Sequence, residues 1–259
     1  MPKFAANLTM LFQEVPFLER FSKAKSAGFS YVEYLFPYAW EPNVLAEQLT
    51  QNSLTQVLFN LPAGNWAAGE RGIACLPERT EEFKRGVSLA AEYAFALNVK
   101  QVNCLAGIRP KTLKHEIALD TLMGNLQYAA DYLAKDGTHL VIEPINSRID
   151  MPGFFLDQLS LAAQIIDELN HPNISLQFDI YHTHIMNGNV EKQFLQHLDK
   201  IAHIQFADFP GRHEPGTGEI DFSTVFEAIQ KSNYSGYISA EYIPSQTSKT
   251  SLDWLQTFN

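Results

Sequence analysis

Short runs of apolar residues alternate with longer segments of helical period along the whole chain. Residues 4–8, 31–36, 56–61 and 101–105 are brief β-branched or aromatic runs. Residues 138–145, 175–181, 202–207 and 236–242 repeat the pattern. Such runs, apolar without strict alternation, predict strands buried on both faces. Between them lie segments with apolar positions three and four apart. The first opens at Glu14-Val15-Pro16, with Phe17, Leu18, Phe21 and Ala24 on one face and Gly28 as its stop. The others cover 42–52, 81–97, 113–134, 157–169, 191–198, 222–231 and a closing helix at 248–258. Eight strands alternating with eight helices predict an α/β chain, a single (β/α)8 TIM barrel over residues 1–259. No fixed-period sequence repeat, low-complexity tract or linker divides it.

Two stretches fit neither period. Residues 62–77 hold Gly64, Gly69 and Gly72 with Trp66, Glu70 and Arg71. Residues 150–155 form a second irregular loop after the fifth strand. Structureless stretches of that kind inside a compact chain mark function more often than slack.

The later strands end on polar residues. Glu143, Asp179, Gln205 and Glu241 are spaced 36, 26 and 36 residues apart. A barrel strand with its helix takes roughly 30 residues, so the four fall at the ends of successive strands, the face where barrels carry their chemistry. A single strand-end carboxylate can equally be a salt-bridge partner for a neighbouring helix, whereas four in series favour one site. Three carboxylates and an amide oxygen are hard donors that suit a divalent metal, Mg²⁺ or Mn²⁺. Zinc would need His182 or His203 to join. His182 follows Asp179 by three residues and is a candidate for substrate binding or for capping the next element. His184 and His203 read as structural, and Asp208 as an orienting or loop-capping group. Arg212, on a Gly-rich loop, is a candidate clamp for an anionic substrate. Arg71, Arg109 and Arg148 occupy other loops after strands, and spacing does not choose among the four. His213-Glu214 does not make a zinc-protease helix, and Gly216-Thr217-Gly218-Glu219 lacks a phosphate-loop lysine.

Two glutamates across a divalent metal permit proton transfer between adjacent carbons. The metal polarises a ketone and its neighbouring hydroxyl, and one carboxylate takes a carbon-bound proton, leaving an enediolate. That carboxylate, or the opposite one, returns the proton to the adjacent carbon. The result is aldose–ketose isomerisation, or epimerisation if the proton returns to the same carbon. Glu143 and Glu241 are the candidate acid/base pair.

The bulk numbers narrow the partners. Of 259 residues, 46% are hydrophobic and 19% charged, an ordinary globular balance. A net charge of −10 argues against a nucleic-acid partner. Two cysteines without a CxxC argue for a reducing compartment. No stretch reads as a signal peptide or a membrane span, so a cytoplasmic location is expected. Assembly into a homo-oligomer is left open.

The motifs FAANLTMLF (4–12), VEYLFPY (32–38), NLPAGNWAAGERGIACLP (60–77), IEPIN (142–146), QFDIYH (177–182) and PGRHEPGTGEI (210–220) extend over nearly the whole chain. In them the sequence resembles the hydroxypyruvate isomerase family of the xylose-isomerase-like barrels. The resemblance implies interconversion of hydroxypyruvate and tartronate semialdehyde, a small 2-keto-3-hydroxy acid substrate, in glyoxylate metabolism. It implies that Glu143 and Glu241 are the proton donor/acceptor pair and that Asp179 and Gln205 line the metal site, where related epimerases carry a histidine in place of Gln205. Asn65 stands where the family leads one to expect an aspartate. A sister branch isomerises four-carbon 2-oxotetronates; the WAAGERGIA loop, with Glu70 and Arg71 as substrate-binding candidates, favours the three-carbon acid. Rival readings are an abasic-site endonuclease, which needs a histidine-rich multi-zinc site and a basic surface, and a sugar-acid binding protein without turnover. An oxygenase would need a second histidine beside Asp179 and His182.

Overall fold

The computed structural model describes residues 2–258. Eight strands close into one parallel barrel in sequence order. They are β1 (Lys3–Asn7), β2 (Tyr31–Glu33), β3 (Thr55–Asn60), β4 (Gln101–Cys104), β5 (His139–Ile142), β6 (Ile174–Asp179), β7 (Ile201–Phe206) and β8 (Tyr237–Ala240). β1 pairs with both β2 and β8, so the sheet has no free edge. The helices are α1 (Arg20–Ser26), α2 (Pro42–Gln51), α3 (Thr80–Leu97), α4 (His115–Ala134), α5 (Leu159–Leu169), α6 (Ile180–Asn187), α7 (Val190–His197), α8 (Phe222–Lys231) and α9 (Asp253–Phe258).

Three expectations are corrected. The first helix is shorter than its pattern: a 3-10 turn at Phe17–Glu19 precedes α1, because Pro16 is held extended at its entry. The sixth strand ends at Asp179, two residues early. The Asp179 carboxylate accepts the His182 N–H at 3.0 Å and so caps a helix, α6, that the apolar pattern had merged with the strand. The closing helix begins as a 3-10 turn at Thr250–Leu252 and becomes α-helical only at Asp253. β2, β5 and β8 also stop short of their apolar runs, at Glu33, Ile142 and Ala240. Asn98 and Asn170 end α3 and α5 in the left-handed conformation that asparagine tolerates.

The barrel is closed below by Ala5, Val57, Leu58 and Val141, packed with Tyr31, Ala202 and Tyr237. Outside it, the helices bury a continuous apolar shell. Near the chain's end, Trp254 stands edge-on to Phe4 at 5.1 Å and to Phe206 at 5.0 Å. Its indole N–H donates to Tyr242 Oη at 3.0 Å, which ties α9 to the end of β8. No helix among the described residues is long and apolar enough to cross a membrane.

Candidate active site

Strand register sets the height of the polar residues. Asn7 lies beside Glu33, and Asp179 beside Gln205. Cys104 pairs with Ile142 and Phe206 with Ala240, so Glu143 and Glu241 emerge one residue beyond the paired ends of β5 and β8. Glu143, Asp179 and Glu241 are all nearly fully buried. One ligand atom each from Glu143, Asp179 and His182 lies within 4.8 Å of the others.

Three carboxylates buried together repel one another. Burial, then the Glu241 and Asp179 charges, push Glu143 well above the usual carboxylate range. Burial also raises Asp179. Glu241 is pushed up to about 8, burial outweighing the opposing pull of Arg212. Partners are supplied from the neighbouring strands. Asn103 Nδ2 donates to Glu143 Oε2 at 2.8 Å, and Asn7 Nδ2 to Glu241 Oε1 at 3.2 Å. Arg212 Nη2 donates to Glu241 Oε2 at 2.6 Å.

Asp179 Oδ2 is buried and has no hydrogen-bond partner. Ionising all three carboxylates against one guanidinium would leave roughly two negative charges in a low-dielectric pocket, which is why protons are held there and what pairing with a cation would relieve. The group fits a divalent cation: its donors are mainly carboxylate oxygens, with Asp179 Oδ2 free and Glu143 beside it, while the Glu241 oxygens are held by Asn7 and Arg212. The fourth candidate, Gln205, is engaged differently. Its amide nitrogen donates to Glu33 Oε1 at 2.7 Å, and its oxygen accepts from Gln177 Nε2 at 2.5 Å.

Of the four loop arginines, Arg212 alone reaches this cluster. Its guanidinium also lies 3.7 Å from Asp150 Oδ1 and over the Tyr181 ring at 5.2 Å. Burial works against its charge, but Glu241, Asp179 and Asp150 outweigh that and hold it protonated. Its backbone sits in the left-handed region at φ 57°. Asp208 holds that loop in shape. Its carboxylate accepts the backbone N–H groups of Phe209, Gly216, Gly218 and Ile220 at 2.8–3.1 Å. Arg212 O in turn accepts from Ile243 N at 2.9 Å, docking the loop on the segment after β8. The other arginines hold their own loops. Arg109 donates to Leu113 O. Arg148 donates to Ile185 O. Arg71 donates to Trp66 O and Glu70 O and stacks over Trp66 at 4.2 Å.

Glu70 pairs with Arg79 at 2.5 Å and accepts from Asn65 N, so its polar contacts are structural ones within residues 65–79. Asn65 caps the short turn at Trp66–Ala68 by accepting from Ala68 N. That loop rests on the segment after β4 through Cys75 N donating to Ala106 O at 2.8 Å, and Trp66 packs on Phe36 at 5.0 Å. No hydrogen bond or ion pair joins Glu70 or Arg71 to the carboxylate cluster among the described residues.

His182, in the first turn of α6, is buried. Its Nε2 lies 3.9 Å from Glu143 Oε1, and its Nδ1 lies 2.7 Å from Asn146 Nδ2. Burial, then the nearby Arg212 charge, keep the imidazole neutral.

Sequence reasoning missed a lower storey of the site. Glu33, fully buried, accepts from His203 Nε2 at 2.8 Å, Gln205 Nε2 at 2.7 Å and Asn7 Nδ2 at 2.9 Å. Burial alone would raise its pKa, but these partners, led by His203, lower it. Asn7 spans both storeys, donating to Glu33 and Glu241 together. The signal was available: Asn7, Glu33 and Asn103 also stand at or near the ends of β1, β2 and β4. His203, expected one layer below Gln205, does lie there, in a buried pair.

Comparison with known proteins agrees with this architecture. A hydroxypyruvate isomerase of Escherichia coli (strain K12) is 46% identical over 258 residues, covering all of both chains. A 2-oxo-tetronate isomerase of Pectobacterium atrosepticum is 43% identical over 99% of this chain and 97% of that relative. A crystal structure described as an AP endonuclease, family 2, from Brucella melitensis superposes with a TM-score of 0.97 at 40% identity, covering all of both chains. The family model for the xylose isomerase-like TIM barrel matches residues 21–258. With full-length relatives at these identities, the chain belongs to the hydroxypyruvate isomerase family of xylose isomerase-like TIM barrels.

Proposed function

We propose that the protein is a hydroxypyruvate isomerase, interconverting hydroxypyruvate and tartronate semialdehyde by proton transfer between C3 and C2. The observation that carries this reading is the gathering of ligand atoms from Glu143, Asp179 and His182 within 4.8 Å of one another at the mouth of the barrel, with Asp179 Oδ2 buried and unpartnered and the Glu241 charge near enough to raise Glu143. A divalent cation, Mg²⁺ or Mn²⁺, held by Glu143, Asp179 and Glu241, with Gln205 at its margin, would supply Lewis-acid polarisation of the ketone and neighbouring hydroxyl oxygens. One of the two glutamates takes a proton from C3, leaving an enediolate; a glutamic acid returns a proton to C2, and the C3 hydroxyl proton passes to the C2 oxygen, so that C3 becomes the aldehyde and C2 the alcohol. Atoms and charge balance within the substrate, and no redox partner is needed. Carboxylates raised by burial suit both halves of this work, since a more basic carboxylate takes up a carbon-bound proton more readily and its acid form stays available to return it. Arg212, bound to Glu241 at the edge of the cluster, would pair with the substrate's carboxylate. The 46% identity to a hydroxypyruvate isomerase supports the three-carbon substrate.

A second reading keeps the chemistry and enlarges the acid. Relatives named 2-oxo-tetronate isomerase are 43% and 40% identical, and the same core of ketone, hydroxyl and carboxylate would be bound. An endonuclease reading is less well supported. The donor set is carboxylate-rich with one histidine, and the net charge of −10 opposes a polyanion.

Proton NMR of hydroxypyruvate in D₂O tests the proposal, with chelated protein and after adding Mg²⁺ or Mn²⁺. Deuterium entry at carbon with appearance of tartronate semialdehyde is expected, faster with metal. Turnover of a 2-oxotetronate alone would move the assignment to the four-carbon acid. Exchange in neither, with the protein folded, would leave a binding protein.

A further inference from the structure

Asn146 lies four residues past the end of β5 and is fully buried. Its side-chain oxygen accepts from Ile149 N at 3.0 Å and Asp150 N at 3.1 Å. Its side-chain nitrogen faces Asp150 Oδ2 at 2.6 Å and His182 Nδ1 at 2.7 Å. These contacts fix which end of the amide is which. Reversed, the NH₂ group would meet two backbone N–H donors and the oxygen would meet a carboxylate, so three good contacts would become repulsive. The amide nitrogen therefore donates to His182 Nδ1, and Nδ1 must present a lone pair. A neutral imidazole with a lone pair on Nδ1 carries its hydrogen on Nε2. That Nε2 is 3.9 Å from Glu143 Oε1, beyond direct hydrogen-bond range, and it stands beside the carboxylate cluster.

We propose that Asn146 is a positioning residue that fixes His182 as the Nε2–H tautomer, so that His182 donates a hydrogen bond to a substrate oxygen beside Glu143 and is not a metal ligand. Both ring nitrogens are then committed: Nδ1 to Asn146, and Nε2 to its proton. The cation site is left with oxygen donors only, which disfavours zinc. The same amide ties Asp150, the second carboxylate near Arg212, to the His182 ring. The substrate half of the proposal rests on the isomerase reading; the tautomer half does not.

The test is long-range proton–nitrogen correlation NMR on chelated full-length protein with ¹⁵N-labelled histidine at neutral pH. His182→Gln identifies the His182 signals by their loss. The native protein is expected to show Nδ1 in the unprotonated range and Nε2 in the protonated range. The reverse pattern, averaging between the two tautomers, or two protonated nitrogens would overturn the proposal. Asn146→Asp replaces the donor by an acceptor of the same shape and is expected to move the proton to Nδ1. It should cut kcat/KM by more than tenfold and strengthen binding of Co²⁺, which a freed Nε2 can ligate. An unchanged His182 spectrum in this variant would refute the role of Asn146. Should its two neighbouring carboxylates prevent folding, Asn146→Ala is expected to give averaged shifts, and a retained single tautomer there would equally refute it. Native spectra as expected in a protein inactive on both keto acids would leave the tautomer standing and remove the isomerase reading.

Discussion

Asp208→Asn tests how the Arg212 loop is held. The carboxylate is fully buried. One oxygen accepts from Phe209 N at 2.8 Å and Ile220 N at 3.1 Å; the other accepts from Gly216 N and Gly218 N, both at 2.9 Å. An asparagine has the same shape but one oxygen, so in either orientation its NH₂ faces two backbone N–H groups. A buried donor left without an acceptor costs about 1–3 kcal/mol, and less where, as at Gly216 and Gly218, water can reach it. Removal of a buried charge offsets part of this, so a net loss of about 2–4 kcal/mol is expected. Urea unfolding measures it from the midpoint at constant m. Hydrogen exchange locates it: the Gly216 and Gly218 amides should lose protection while the barrel strands keep theirs. Arg212 hangs from this loop, so kcat/KM for the keto acid should fall about tenfold or more, a loss of roughly 1.4 kcal/mol of transition-state stabilisation. A loss below about 0.5 kcal/mol with unchanged protection at both glycines would show that the carboxylate does not organise the loop.

Other outcomes follow from the same geometry. Glu143→Gln and Glu241→Gln should each lower turnover by about 10²–10⁴-fold; at alkaline pH Glu143→Gln should also raise the melting temperature of chelated protein, because it removes a buried, repelled charge, and a lowered melting temperature there would contradict the repulsion. For pH, both glutamates have raised folded-state values, so the folded chain holds their protons more tightly than the unfolded chain. Their stabilising contribution is present at low pH and is lost as pH rises toward about 8. Half-buried His139 and buried His182 and His197 have lowered values and oppose this trend only below their ordinary value of 6.5. Chelated protein should therefore lose thermal stability between about pH 6.5 and 8, and added Mn²⁺ should abolish that slope while releasing protons; a melting temperature that rises across the window without metal would refute the assignment. Arg212→Lys keeps the charge but loses the planar fork, and steady-state kinetics should show kcat/KM reduced about tenfold. Trp254→Ala removes a buried side chain packed edge-on to Phe4 and Phe206 and should cost about 3–5 kcal/mol in urea unfolding.

Much of this protein was legible along the chain. Apolar runs buried on both faces alternate with helical periods, and that alternation determines a parallel barrel, because each strand must be covered outside by the helix that follows it. Glu143, Asp179 and Glu241 were legible for a related reason: a carboxylate closing an apolar run is costly unless something binds it. The boundary between β6 and α6 was not, since Ile180 and Tyr181 continue the apolar run and only the Asp179 cap divides strand from helix. Nor were the partners. Glu33 and His203 are 170 residues apart, and Asn7 and Glu241 are 234 apart. Local period carries no information about which strand ends share a height. Ring closure and register decide that, by setting β8 against β1 and bringing the two ends of the chain to one site. The arginines make the same point: Arg71, Arg109, Arg148 and Arg212 are equivalent in sequence, and the fold separates them. Arg212 alone is carried by a loop whose carboxylate anchor, Asp208, turns it inward to a charge it can neutralise.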